Sequence, residues 1–265
     1  MTLKVEHLDF YFGTRQILKD ISFEAQGGEF LSILGPNGVG KSTLFRCILN
    51  LLHPSAGTIA LDGRDVRQMT AKELAQHIAY IPQFHKPTFN YSVLNMVLMG
   101  TASQLRSLET PGKAQLEIAH NALARMKIEH LAEHPYGFCS GGEKQLCLIA
   151  RAIAQQAKVL VMDEPSASLD FGNRIRVMQT VRSLVADGYA VVQTTHDPEQ
   201  AFMYSDKILA IHDGRVLAWG TPQAVLEDGL MSKLYGIDVE VHSLHDDTIR
   251  VCVPSNSLGG TAKNI

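Results

Sequence analysis

No apolar run in this 265-residue chain approaches the roughly 20 residues that a membrane-spanning helix needs. The opening Met1-Thr2-Leu3-Lys4-Val5-Glu6-His7 lacks the apolar segment of an export signal, so a protein that begins in the cytoplasm is expected. Cysteine is sparse: Cys47, Cys139, Cys147 and Cys252 are scattered without a Cys-x-x-Cys spacing. That argues against both a disulfide framework and a thiolate zinc site. An excess of one charge is missing as well, since 24 basic side chains face 27 acidic ones. Nothing there would hold nucleic acid or anionic lipid by bulk attraction. Repeats and coiled-coil heptads are absent. With 45% hydrophobic and 19% charged residues, the chain can bury a substantial core as one large or two small domains.

Leu3 and Val5, then Leu8, Phe10 and Phe12, alternate with other residues as strands do, and Phe30-Leu31-Ser32-Ile33-Leu34 is a short apolar run. That run ends in a glycine-rich loop, which passes into Leu44-Phe45-Arg46-Cys47-Ile48-Leu49 with the spacing of a buried helix. Further strand and helix are expected over 57–82. From about 84 to 155 the character is helical, with a polar surface loop over 103–113. Val159-Leu160-Val161-Met162 and Ala190-Val191-Val192-Gln193-Thr194-Thr195 read as interior strands of a parallel sheet, separated by a helical pattern over about 171–187. The fold class is therefore α/β. Val239 and Val241, then Ile249, Val251 and Val253, suggest a small terminal hairpin.

Gly35-Pro36-Asn37-Gly38-Val39-Gly40-Lys41-Ser42 fits Gly-x-x-x-x-Gly-Lys-Ser/Thr, with Thr43 next. Backbone N–H groups must close around phosphate oxygens, which requires positions without a Cβ, and the helix that follows begins with unpaired N–H groups. Lys41 would reach the β and γ phosphates, and Ser42 would ligate Mg2+. The ordinary reading is a coincidental turn, but strand before and helix after is the setting that this chemistry demands. At the end of another interior strand, Asp163-Glu164-Pro165 supplies two carboxylates. Asp163 would sit beside the magnesium and Glu164 would polarise an attacking water as general base. Read alone, the pair is an ordinary strand-ending turn.

Ser140-Gly141-Gly142-Glu143 opens a helix through Leu146 and Ala152; Ser140 is a credible N-cap and the exposed N–H groups make a second anion site. On its own this tripeptide is most often a loop. Together with the phosphate loop, Gln83, Asp163-Glu164, Ser168-Leu169-Asp170 and His196, it makes the chain resemble the ATP-binding cassette ATPases from about residue 3 to 235. The resemblance implies a P-loop NTPase core of mainly parallel sheet (1–83 and 156–235), an N-terminal antiparallel β subdomain, a helical insertion (about 84–155) and a short tail (236–265). It implies a homodimer in which the phosphate loop of one copy (Gly35, Asn37, Gly38, Gly40, Lys41, Ser42, Thr43) and Ser140, Gly141 and Gly142 of the other enclose one ATP. Gln83 would touch Mg2+ and the attacking water, Asp170 would act across the dimer, and His196 would contact the γ phosphate. A glutamine near a proline turn, an aspartate capping a helix and a histidine ending a strand are the ordinary readings, and only the joint order lifts them above these. Phe12, before Gly13, is the better candidate to stack on adenine, with Tyr11 beside it and core packing left for whichever does not. Cys139 and Glu143 depart from the usual Leu and Gln of the signature. Cys139 reads as a small packing residue; a lowered thiol pKa at the helix start is the other reading.

Ile149-Ala150-Arg151-Ala152, Leu169-Asp170-Phe171-Gly172-Asn173, His196-Asp197-Pro198-Glu199 and Leu234-Tyr235-Gly236 look like the ATPases of importers for iron chelates, haem and cobalamin; a few members handle oxyanions such as molybdate. The partners so implied are a many-helix permease dimer and, indirectly, a periplasmic or surface binding protein, with no nucleic acid. The expected place is the cytoplasmic face of the cell membrane. Thr88 to Gly100 lies where the permease's coupling helix would dock through exposed aromatics, or else packs inside the insertion. His242 to Asp247 has metal-ligand types but reads as a solvated turn. A soluble cassette protein of translation or DNA repair is the alternative; it is disfavoured by the single cassette and the lack of a coiled-coil insertion. A P-loop kinase or GTPase is disfavoured by the second glycine motif and the missing Asn-Lys-x-Asp.

Overall fold

The computed structural model describes residues 1–83, 89–106 and 109–255. It opens with β1 (Thr2–Phe12) and β2 (Arg15–Gln26), a long antiparallel pair. Leu3, Val5, Leu8 and Phe10 of β1 are buried; the change of phase between Val5 and Leu8 is a register shift against both neighbouring strands. A bulge of this kind restores the inward alternation after one extra residue. β3 (Phe30–Leu34) is buried throughout, and the phosphate loop leads from it into α1 (Lys41–Ile48). β4 (Ala56–Leu61) and β5 (Arg64–Asp65) complete an antiparallel sheet of order β2-β1-β4-β5.

α2 (Ala71–His77) starts at a Thr70/Glu73 capping box and runs directly into β6 (Ile78–Ile81). Among the described residues the α-helices that follow are α3 (Val93–Leu98), α4 (Lys113–Arg125) and α5 (Gly141–Ala154). Then β7 (Val159–Asp163), α6 (Phe171–Ala186), β8 (Ala190–Thr195), α7 (Pro198–Tyr204), β9 (Lys207–His212) and β10 (Arg215–Gly220) return the chain to the main sheet. Its order is β10-β9-β3-β8-β7-β6, with β9 to β6 parallel and β10 antiparallel at the edge. α8 (Pro222–Val225) and α9 (Asp228–Tyr235) precede a hairpin of β11 (Val239–Leu244) and β12 (Ile249–Pro254). Among the described residues no helix is long and apolar enough to cross a membrane.

Strand periodicity splits the core. Val159 and Val161 of β7 join the cluster formed with α1 and the antiparallel sheet, while Leu160 and Met162 join the cluster formed with α3 to α6. Both faces are covered, which is why β3 and β7 are apolar almost without interruption, while β8 is apolar over Ala190–Val192 and ends in the buried polar Gln193, Thr194 and Thr195. A third cluster joins Leu34, Ile208 and Ala210 to α7, α8, α9 and the hairpin.

All strands from β9 to β6 point the same way, so their carboxyl ends lie along one sheet edge, the place where α/β folds bind ligands. The phosphate loop leaves β3, His196 leaves β8, Glu164 leaves β7 and Gln83 follows β6. Because β3, β8, β7 and β6 are consecutive neighbours, four distant stretches of sequence meet there.

The helical segment is fastened to its own long helix at Gly100, where an added Cβ would overlap the carbonyl oxygen of Arg151 in α5. Backbone on backbone cannot relax as a side chain does, so Gly100→Ala is expected to destabilise the protein by about 1–3 kcal/mol. Urea unfolding measures this; a midpoint equal to that of the unchanged chain would show that the close approach is not needed.

Candidate nucleotide site

The phosphate loop is shaped by its glycines. Gly38 has φ 84° and Gly40, the residue before α1, has φ 109°, both in the region where a side chain is strained. No side chain caps α1, so its first N–H groups face the cleft. Lys41 is 7% exposed and folds back over the loop, donating to the carbonyls of Gly35 at 2.6 Å and Pro36 at 3.1 Å. Its nearest carboxylate is Glu164, at 3.9 Å. Burial lowers the Lys41 pKa, while the charges of Glu164 and Asp163 oppose the shift. An ammonium so poorly solvated and incompletely neutralised has the character of an anion site.

Across the cleft Asp163 accepts from Ser42 Oγ at 3.3 Å and from Thr194 Oγ1 at 2.6 Å. Tyr80 also hydrogen-bonds it; burial, and secondarily the Asp163 charge, push that phenol up to about 12. Glu164 follows with φ 44°, a left-handed turn costing roughly 1–2 kcal/mol for a residue with a side chain. The N–H of Glu164 donates to Thr194 Oγ1 at 3.1 Å. The turn directs the carboxylate back into the cleft, where Gln83 Nε2 donates to Oε2 at 3.1 Å and His196 Nδ1 lies 3.1 Å from Oε1. Asn37, Gly38, Gly40, Lys41, Ser42, Thr43, Gln83, Asp163 and Glu164 line one open cleft. The hydroxyl and carboxylate of Ser42 and Asp163 are hard oxygen donors that fit a Mg2+ ion.

Arg15 and Ile17 also line this cleft and the groove beside it, toward His212 and Asp213. Motif reading passed over both, because an arginine and an isoleucine in a strand carry no pattern. Thr194 and Tyr80 were missed for the same reason. Phe12 and Tyr11 are 49% and 42% exposed; Phe12 packs edge-to-face on Phe10 at 4.8 Å, and neither ring lines the cleft.

Ser140, Gly141, Gly142 and Asp170 come together, but elsewhere. Ser140 caps α5 in a capping box: its Oγ accepts the Glu143 N–H at 3.3 Å and Glu143 accepts the Ser140 N–H at 2.7 Å. These hydrogen bonds hold the Glu143 carboxyl below the usual range. Asp170 caps α6, accepting from the Asn173 N–H at 2.9 Å; that backbone bond, then the Asn173 amide, lowers its pKa. A Cβ on Gly142 would meet the Asn173 side chain, so the two helix starts are adjacent. Ser140 lines a separate groove with Arg125, Lys127 and Arg176 and takes no part in the phosphate cleft.

Two pairs of alternatives left open by the sequence meet the structure here. Of the aromatics expected to dock a partner, Phe89 is 66% exposed, but Tyr91 is half-buried against the helical cluster and receives the Tyr136 N–H on its carbonyl. Thr88 lies outside the described residues. Cys139 is buried, in keeping with its reading as a small packing residue; burial raises its thiol pKa, with the Glu143 charge adding to it, against the alternative of a lowered pKa at the helix start. In the tail, Asp247 is engaged by Arg250 and Ser243.

Because the thiolate is the reactive form, upward shifts protect every cysteine: burial carries Cys47 to about 11, Cys147 to about 12 and Cys252 to about 11. Iodoacetamide at pH 7.5 is expected to leave the folded chain unmodified and to label all four cysteines in denaturant. Rapid labelling of Cys139 in the folded chain, read by peptide mass spectrometry, would restore the reactive-thiol reading.

Residues 18–167 match the family model described as ABC transporter. An uncharacterized ABC transporter ATP-binding protein of Haemophilus influenzae is 39% identical over 245 residues, 92% of this chain and 93% of that protein. The hemin import ATP-binding protein HmuV of Rhodococcus jostii is 36% identical over 91% of this chain and 82% of its own length. Among solved structures, a metal-chelate type ABC transporter in an inward-facing conformation aligns with TM-score 0.85 and 30% identity over 96% of this chain and 97% of that one. The ADP conformation of an ATP-binding cassette aligns with TM-score 0.81 and 28% identity, over 89% and 98%. With its cleft, its order of motifs and these likenesses, the chain belongs to the ABC transporter ATP-binding family and is an ATPase.

Proposed function

We propose that this chain is the ATP-hydrolysing subunit of an importer for a metal chelate of the iron-chelate, haem or cobalamin kind. It would act as a homodimer on the cytoplasmic face of a membrane permease that receives cargo from a binding protein. The observation that carries the ATPase half is the hydrogen-bonded cluster of Gln83, Asp163, Glu164, Thr194 and His196 facing Lys41 and Ser42. The likeness to a metal-chelate type transporter over nearly the whole chain, and to relatives named for hemin and cobalamin import, supports the cargo class.

In this reading the N–H groups from Gly35 to Thr43 hold the phosphates and Lys41 neutralises the β and γ groups. Mg2+, when bound, offsets phosphate charge; Ser42, Asp163 and Gln83 would hold it. Gln83 and His196 keep the Glu164 carboxylate turned toward the γ phosphate, where it takes a proton from the water that attacks the γ phosphorus, while the bond from that phosphorus to the β–γ bridging oxygen breaks and ADP leaves. Ser140, Gly141, Gly142 and Asp170 face away from their own cleft and complete the pocket of a second copy. Phe12 or Tyr11 reaches adenine from the rim. The stretch from about 84 to 155, inserted between core segments 1–83 and 156–235, carries the signature and, through Phe89, a docking point for the permease.

Glu164→Gln removes the base but keeps the shape and the hydrogen bond to Gln83. Its ATP affinity is expected within a few-fold of the unchanged chain, while turnover falls by about 100-fold or more. Normal turnover by this variant, in a phosphate-release assay, would remove Glu164 from its role. The same variant with ATP should run as a dimer by light scattering, and adding Ser140→Arg should return it to monomer. Dimers that persist would place Ser140 outside the shared pocket. Co-purification with a many-helix permease, followed by ATPase assays with haem, cobalamin, iron chelates and molybdate and their binding proteins, tests the cargo class. Turnover that ignores every one of them would refute it.

A further inference from the structure

His196 sits on a turn gripped from several sides. Behind it, the Asp197 N–H donates to Thr195 Oγ1 at 3.1 Å, and Asp197 caps α7 by accepting the Gln200 N–H at 2.9 Å. Arg174 of α6 reaches the other Asp197 oxygen at 3.2 Å. The remaining grip comes from far along the chain: the hydroxyl of Tyr235, the last residue of α9, donates to the His196 carbonyl oxygen at 2.9 Å. Burial, with Cys252 and Asp197 nearby, holds that phenol well above its ordinary pKa, so it stays a donor across the physiological range.

Tyr235 is itself braced. Gly236, at φ 70°, stops α9, and the chain turns back so that the Val239 N–H donates to Ser232 Oγ at 2.9 Å and the Val241 N–H to Asp228 Oδ1 at 2.7 Å. From β12, Arg250 stacks over Phe202 of α7 at 5.4 Å and donates to the carbonyls of Gln223 and Leu226 at 2.8 and 2.7 Å. The hairpin therefore ties together α7, which begins just after His196, and α9, which ends in Tyr235.

We propose that Tyr235 is a positioning residue for His196, and that the C-terminal hairpin is the brace that keeps its hydroxyl on the His196 carbonyl. The proposal rests on the reading of His196 as the γ-phosphate contact. With the tether in place, the imidazole has one setting over Glu164 Oε1; without it, the turn between β8 and α7 samples several. Reaction geometry suffers more from such freedom than nucleotide binding, which the phosphate loop dominates.

The test is Tyr235→Phe in the full chain, which keeps the packed ring and removes only the hydroxyl. The turnover number for ATP is expected to fall roughly three- to tenfold, the scale of one net hydrogen bond, with KM for ATP within twofold. In chain labelled with 15N-histidine, the ring signals of His196, assigned by their loss in His196→Gln, are expected to shift or broaden. Unchanged turnover, or unmoved His196 signals, overturns the proposal. So does a fall in turnover accompanied by an equal rise in KM and a lowered unfolding temperature, because a merely structural role produces that pattern. His196→Ala separates the two levels of the argument. If it hydrolyses ATP at the unchanged rate, the reading of His196 fails, while the ring signals still report whether Tyr235 holds the turn.

Discussion

A lysine ammonium almost out of water, with two backbone carbonyls and one carboxylate 3.9 Å away for company, is the constraint around which the cleft is built. Lys41 is the first residue of a helix whose N–H groups are also uncapped, so two positive features point into one opening. Carboxylates across the cleft prevent that charge from being prohibitive, but they do not cancel it. Asp163 is occupied by Ser42 and Thr194, and Glu164 is shared with Gln83 and His196. The local charge balance thus leaves room for a polyanion and its metal.

The parallel sheet is what makes this arrangement possible. Four neighbouring strands end along one edge, and each contributes one element of the cleft within a hydrogen bond or two of the next. Thr194 shows how tightly the contributions interlock. Its hydroxyl donates to Asp163 and receives the Glu164 N–H, so a β8 residue fixes the geometry of both carboxylates on β7. The strained turn at Glu164 is held by that contact and by the apolar strand behind it, consistent with strain being retained where surrounding structure over-determines it.

Much of this was legible in the residues. Gly35 to Thr43, Asp163-Glu164, Gln83 and His196 all reach the expected edge, and the strands carrying them were visible as short apolar runs because a sheet covered on both faces needs no polar alternation. The hairpin at 239–254 was legible from alternation alone. Arg15, Ile17, Tyr80, Thr194 and Tyr235 were not, since each acts through a neighbour distant in sequence and has no local pattern. Cys139 shows a competition that local pattern leaves open: helix-start electrostatics favours the thiolate, but packing in the helical cluster removes the solvent that the thiolate would need.

Sequence by itself determined the chemical inventory and its order: a glycine loop ending in Lys-Ser, a strand ending in Asp-Glu, a capped helix opening with Ser-Gly-Gly. Those features depend on local backbone geometry and on residue type, which neighbours in the chain specify. Only the tertiary structure decided which of them meet. It joined the phosphate loop to Gln83, Asp163, Glu164 and His196, and it set Ser140 beside Asn173 in another groove, because strand order and helix packing are long-range choices made by burial of apolar faces.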